Sequence, residues 1–100
     1  MSGFDVRFSQ AADGDFDDIL HFIAKDSPAN AVAFVDRLER RVRSLLAANP
    51  DAGRVVNRFR YFVFDGYVVV YEIDLASQQV TVVLLTEGHR NWRRVLEGRS

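Results

Sequence analysis

The segment TEGHRNWRRVL, residues 86–96, combines side chains that can transfer protons with side chains that can bind phosphate. It directly follows an apolar, strand-like run of residues. Its candidate functional residues are Glu87, His89, Arg90, Trp92, Arg93 and Arg94. Such a set is typical of a catalytic corner, of a contact with a nucleic acid or a protein, or of a charged tail that closes a small domain.

Cleavage of RNA without a metal ion is one reaction that these residue types suit. It requires a base near the 2′-hydroxyl, an acid near the leaving oxygen and cations around the phosphate. Glu87 and His89 are two residues apart and share a face if the preceding strand extends that far. The other members of such a site are Arg90, Arg58, Arg60 and Tyr71. The structural alternative is that Glu87 and Arg90 form surface ion pairs while Trp92 seals the edge of the core.

The sequence contains no motif for binding a metal ion or a cofactor. The two histidines, His21 and His89, fall on different predicted elements, and there is no cysteine. The sequence has no His-x-x-x-His motif, calcium-binding loop, glycine-rich phosphate loop or nucleotide fingerprint. No serine lies on a recognisable nucleophile elbow. We therefore expect neither a metal nor a cofactor.

Length and composition favour a single domain over residues 1–100. Apolar residues make up 48% of the chain and aromatic residues 12%, which is enough for one core. A second domain in a chain of this length would lack a core of its own. The lack of cysteine, of a signal-peptide pattern and of a long apolar run favours a cytoplasmic protein without membrane contact.

Charge is distributed unevenly along the chain. Residues 1–36 hold seven acids against two bases, a net charge of −5, whereas residues 37–100 hold eleven arginines against seven acids, a net charge of +4. Twelve of the thirteen basic residues are arginine, the side chain suited to bidentate contact with carboxylate or phosphate. A GC-rich genome would also favour arginine over lysine, but it would not explain the gradient from acidic to basic.

Hydrophobic periodicity predicts the elements that position these residues. In order, they are a strand (4–9), a helix (10–25), a second helix from Pro28 to the stop at Asn49-Pro50, a loop (51–57), two strands around an Asp65-Gly66 type I′ turn (58–73), a central strand (80–86) and a possible short helix (91–97). On the first helix, Asp15, Asp17 and Asp18 are expected to lie off the apolar stripe.

These elements predict an α+β fold. An antiparallel sheet packs against an N-terminal helical hairpin in the order β-α-α-β-β-β. Either Phe59 and Val63 or Phe62 and Phe64 must face the helices, and the sequence leaves the choice open. The strands are more apolar than a half-solvated sheet needs, so we expect uncovered apolar surface.

Several motifs, in this order and spacing, resemble those of RelE/ParE-type toxins. The first half carries an Ala12/Phe16/Ile19/Ile23 helix, then Ser27-Pro28 before Ala31, Phe34 and Leu38, and then a Pro50/Gly53/Arg54 turn. The second half carries GYVVVYEID, which ends at Asp74, and a last strand that runs into Arg90-x-Trp92. The resemblance covers nearly the whole chain.

The resemblance implies the toxin half of a type II toxin–antitoxin system, kept silent by a cognate, ParD-like antitoxin in a bacterial or archaeal cytoplasm. RelE-like members cut mRNA on the ribosome, whereas ParE-like members poison DNA gyrase. Aligned on Arg90 and Trp92, Glu87 stands where the family commonly has histidine, and His89 fills a variable position. The single lysine, the long hairpin and the Pro-x-x-Gly-Arg turn favour the gyrase-directed branch. The alternatives are a ribosome-dependent RNase and a degenerate member that only binds.

Two sets of contact residues follow as predictions from this interpretation. Toxicity is assigned to the tail and most antitoxin binding to the helical hairpin. The target-binding residues are Arg90, Trp92, Arg93 and Arg94, with Arg99 in the same cluster. The antitoxin-binding residues are Phe22, Phe34, Arg54, Arg58 and Arg60. On the gyrase interpretation no residue is catalytic.

Overall fold

Eight regular elements build the fold in a computed structural model that describes residues 3–88 and 91–99. They are β1 (Asp5–Phe8), α1 (Gln10–Ala24), α2 (Pro28–Ala48), β2 (Arg54–Val56), β3 (Phe59–Phe64), β4 (Tyr67–Asp74), β5 (Gln79–Glu87) and α3 (Trp92–Glu97). The strands form one sheet in the order β1-β5-β4-β3-β2. β1 runs parallel to β5, and the other neighbours are antiparallel.

Local sequence signals explain where the elements begin and turn. The Ser9 hydroxyl accepts a hydrogen bond from the Ala12 N–H at 3.1 Å and caps α1. Pro28 starts α2, where its missing N–H costs nothing. Asp65 and Gly66 both have positive φ, at 52° and 83°, as a type I′ turn requires.

The sheet is covered on both faces. The α1–α2 hairpin packs on one face through a core that includes Leu38, Val42 and Leu46, and α3 packs on the other through Trp92 and Leu96. We refer to these as the hairpin face and the α3 face. The α+β fold, the hairpin and the short final helix are confirmed.

Two details of the prediction are wrong. Residues 51–57 are not only a loop, because Arg54–Val56 pair with Phe59–Tyr61 as an added edge strand. Asp15 does not lie off the buried stripe, since it is only 9% exposed.

The open question of which β3 side chains face the helices is resolved. Phe62 and Phe64 pack against the hairpin core, whereas Phe59 is buried under α3. Val63, on the same side as Phe59, is 60% exposed. Phe22, Val32, Val55 and Leu75 are also exposed apolar side chains, so the expected uncovered apolar surface is present.

Candidate functional site

Glu87 lies at the last position of β5, and its ladder partner is Tyr67, at the first position of β4. The side chain is partly buried and borders a hollow of about 270 Å³ together with Asp18 and Phe22. Burial raises the pKa of the Tyr67 phenol, and the Glu87 carboxylate raises it further. His89 and Arg90, the other proposed members of this corner, lie outside the described residues.

Arg60 and Tyr71 lie opposite each other in the β3–β4 ladder. The Tyr71 side chain is fully buried, and its hydroxyl accepts a hydrogen bond from the Gly53 N–H at 2.9 Å. Burial raises the pKa of this phenol. The Arg60 guanidinium donates to the Gly53 carbonyl at 2.9 Å. Both side chains therefore hold the turn before β2 in the folded chain.

The described residues among those proposed for RNA cleavage are separated along the sheet. Glu87 pairs with Tyr67, and Arg60 pairs with Tyr71, four residues further along β4. Four residues of strand separate the two backbones by about 13 Å. The Arg60 guanidinium and the Tyr71 hydroxyl are both bonded to Gly53 rather than directed towards Glu87. Arg58 precedes β3 and lies further from Glu87 along the strand direction than Arg60 does. The structure does not bring Glu87 together with Arg58, Arg60 or Tyr71.

On the α3 face, Trp92 is 6% exposed and belongs to the core, as the structural alternative for this residue expects. Its ring centroid lies 4.7 Å from that of Tyr61. The Arg93 guanidinium covers both rings, 4.4 Å from the Trp92 centroid and 5.6 Å from the Tyr61 centroid. Arg93 and Arg94 are exposed, so they remain available to a target.

Arg99 does not join this exposed cluster. Its guanidinium forms a two-pronged ion pair with Asp15 and donates to the Val83 carbonyl at 3.0 Å. Asp15 also accepts a hydrogen bond from the Leu85 N–H at 2.9 Å. β1 pairs with β5 only as far as Val82. Asp15 and Arg99 thus satisfy backbone groups on the edge of β5 beyond β1.

A groove between α2 and β3 is the strongest site feature that the sequence analysis missed. This α2–β3 groove has a volume of about 610 Å³, and no acidic side chain is among its described lining residues. It is lined chiefly by Arg37, Arg40, Arg41, Leu45, Phe62 and Phe64. The Arg41 guanidinium lies 5.5 Å from the Phe64 ring centroid. The sequence shows these arginines only as the polar side of an amphipathic helix. They indicate a groove once the strand that packs beneath them is known.

The residues predicted to bind an antitoxin are spread over several places. Phe22 is 60% exposed on α1, and the Phe34 ring on α2 lies 5.9 Å from the Tyr67 ring. Arg58 and Arg60 border another hollow, of about 560 Å³, that includes the exposed Leu75. Arg54 lies on the edge strand β2. These assignments stay predictions.

Residues 3–88 and 91–99 contain no group of three or more His, Cys, Asp or Glu side chains arranged to hold a metal ion. No helix in these ranges is both long and apolar enough to span a bilayer.

Comparison with known proteins gives one family and several related folds. The sequence profile of the family described as "ParE toxin of type II toxin-antitoxin system, parDE" matches residues 6–92. No curated protein matches the sequence significantly.

Solved structures of toxins share the fold at low sequence identity. The chromosomal ParDE system of P. aeruginosa matches with a TM-score of 0.70 and 19% identity, over 84% of this chain and 95% of that one. The RelBE2 toxin–antitoxin complex of Mycobacterium tuberculosis matches with a TM-score of 0.59 and 20% identity, over 85% and 98%. The isolated RelE toxin of E. coli matches with a TM-score of 0.59 and 14% identity, over 95% and 97%.

Proposed function

The chain belongs to the ParE toxin family of type II toxin–antitoxin systems, and from that membership we propose that it poisons DNA gyrase and is neutralised by a cognate antitoxin. On this proposal the protein holds gyrase on cleaved DNA and cuts no nucleic acid itself. Its action then depends on surface contacts rather than on proton transfer.

The observation that carries the choice of gyrase is the separation of the candidate RNase residues. Glu87 pairs with the first residue of β4, whereas Arg60 pairs with Tyr71, four residues further along that strand. The Tyr71 hydroxyl is buried and already bonded to Gly53. A general acid or base must reach the proton that it transfers, directly or through one water. The described residues therefore support a binding surface better than a catalytic one.

The test compares the two targets with the same protein preparation. We expect the chain to inhibit gyrase supercoiling and to accumulate cleaved DNA, and we expect Glu87→Gln to change this activity less than threefold. Loss of a general acid or base would instead reduce an RNase rate by about 10²–10⁴-fold. Ribosome-dependent cuts in mRNA at codon intervals, lost in Glu87→Gln, would overturn the proposal in favour of the RNase.

The antitoxin proposal rests on the α2–β3 groove. Three arginines line its rim, and Leu45, Phe62 and Phe64 supply an apolar floor. Such a groove fits an amphipathic segment that buries apolar side chains and presents carboxylates to the rim. The M. tuberculosis structure that shares this fold is a toxin–antitoxin complex, which agrees with a protein partner for this chain.

Three substitutions test the groove. The variant Arg37→Gln/Arg40→Gln/Arg41→Gln, called the groove variant, should bind the product of the neighbouring antitoxin gene at least tenfold more weakly, because each lost charge-assisted contact weakens the complex by about tenfold. Isothermal titration measures the affinity. If the groove variant bound this antitoxin as tightly as the parent, the antitoxin site would have to lie elsewhere on the toxin.

A further inference from the structure

Three arginines lie on the α3 face around the aromatic side chains of β3. Phe59 is buried under α3, so Tyr61, two residues further along β3, presents its side chain to the same face. Arg54 is the direct ladder partner of Tyr61. Directly opposed residues in a ladder share a face, so Arg54 also lies on the α3 side.

The other two arginines rest on these rings. The Arg58 guanidinium lies 4.8 Å from the Phe59 ring centroid. The Arg93 guanidinium lies 5.6 Å from the Tyr61 centroid. Phe59 and Tyr61 are about 7 Å apart along β3, so Arg58 and Arg93 contact neighbouring rings on one face of the strand. We call Arg54, Arg58 and Arg93 the α3-face patch.

The charges of this patch are not neutralised within the described part of the chain. All three side chains belong to exposed residues, and none of them has an ion pair in residues 3–88 and 91–99. Asp51 lines the same hollow as Arg58, but the ion pairs within these ranges do not include it. The whole chain has a net charge of −1, so this concentration of positive charge is local.

We propose that the α3-face patch binds the phosphodiester backbone of the nucleic acid in the target complex. A guanidinium stacked on a ring keeps its N–H donors at its edge, where they can form paired hydrogen bonds to a phosphate. Arg58 and Arg93 cover the rings beneath them, so those ring faces are closed to stacking by a base. The contact is therefore to the backbone and independent of base sequence.

This proposal rests on the proposed function in one respect. Poisoned gyrase would supply duplex DNA as the phosphodiester, whereas a ribosomal target would supply RNA. The two sources share the same phosphate chemistry, and the experiment separates them by using a labelled 20-base-pair DNA duplex and a labelled single-stranded RNA of 20 nucleotides as probes.

The experiment measures fluorescence anisotropy with the purified toxin at a series of salt concentrations. The parent should bind at least one probe, and its affinity should fall steeply with salt because bound counterions are released. The patch variant Arg54→Gln/Arg58→Gln/Arg93→Gln should lose affinity by at least tenfold. Its slope of log affinity against log salt should fall by about 3, or about one per arginine.

The groove variant is the matched control, because it removes the same number of charges and also removes guanidinium groups stacked on rings. It should lose antitoxin binding and keep the nucleic-acid binding that the patch variant loses. Three results would overturn the proposal. Both variants could lose nucleic-acid binding equally, or the parent could show no measurable binding at 20 mM salt. The third is a patch variant that loses only antitoxin binding. If the patch variant does not fold, Arg54→Gln alone must lower the salt slope by about one.

Two outcomes separate this proposal from the gyrase proposal. If the parent protein binds duplex DNA through the patch but does not inhibit supercoiling, the patch proposal stands and the gyrase proposal fails. If the patch variant poisons gyrase as strongly as the parent does, the gyrase proposal stands and the patch proposal fails.

Discussion

Removal of the Asp15 carboxylate should destabilise the fold more than removal of any exposed acid on α1. In Asp15→Ala, the Leu85 N–H loses its hydrogen-bond acceptor and the Arg99 guanidinium loses its ion-pair partner. An unsatisfied buried donor costs about 1–3 kcal/mol. Because the Arg99 side chain is 24% exposed, it can partly rehydrate, so we use less than the full cost of breaking a buried pair. The expected loss in free energy of unfolding is about 2–4 kcal/mol.

Thermal and urea unfolding monitored by circular dichroism measure this loss. For a domain of this size, about 2–4 kcal/mol corresponds to a decrease in Tm of roughly 10–25 °C. Arg99→Ala should cost less, because the Leu85 N–H keeps Asp15 as its acceptor. The double variant should be more stable than the sum of the single losses implies, with a coupling energy of about 0.5–3 kcal/mol.

Asp17→Ala is the matched control, since Asp17 is an exposed acid on the same helix and has no ion pair within residues 3–88 and 91–99. It should change stability by no more than about 0.5 kcal/mol. If Asp15→Ala and Asp17→Ala unfolded at the same temperature, the contacts of Asp15 with Leu85 and Arg99 would contribute nothing to stability.

Other substitutions and pH give further predictions. Tyr71→Phe should lower stability by about 1–3 kcal/mol, because the Gly53 N–H loses its acceptor; an unchanged urea midpoint would contradict this. Gly53→Ala should destabilise the chain, since a Cβ there would lie 2.7 Å from the Tyr61 carbonyl oxygen. Gly14→Ala should raise stability by about 0.5–1 kcal/mol, because a Cβ there meets open space. Thermal unfolding of both variants checks this pair. The pKa values of Tyr67 and Tyr71 are raised above 10.0 in the folded state, so their contribution to stability is complete below pH 10 and is lost as pH rises through the folded-state pKa values. Unfolding free energies between pH 8 and 11 should therefore fall at the alkaline end, and Tyr71→Phe should fall less.

Elements with strong local signals could be predicted from the sequence. The Asp65-Gly66 turn and the Pro28 start of α2 depend on backbone preferences of the residues themselves, and both are present. β2 could not be predicted in the same way, because Arg54–Val56 is too short to show periodicity and owes its strand conformation to pairing with β3. Tertiary contact thus overrides weak local preference in this segment.

The candidate site was less predictable, because its groups meet only through long-range packing. Asp15 looks like a solvated helical acid until Arg99, 84 residues away, is brought to it by the sheet. Glu87 and Arg60 look like partners on the basis of residue type, and the strand register separates them. Arg37 and Arg41 look like the solvated side of α2 until Phe62 and Phe64 are found beneath them.

The parallel pairing of β1 with β5 affects the order in which a newly synthesised chain can fold. Asp5 pairs with Gln79, so β1 has no partner until 74 further residues have been added to the chain. At a synthesis rate of about 5–20 residues per second, β5 is made about 4–15 s after β1. During this interval the apolar side of the α1–α2 hairpin lacks the β5 residues that bury it. A chain whose synthesis stops before β5 would present that hairpin to chaperones and proteases as an unfinished core.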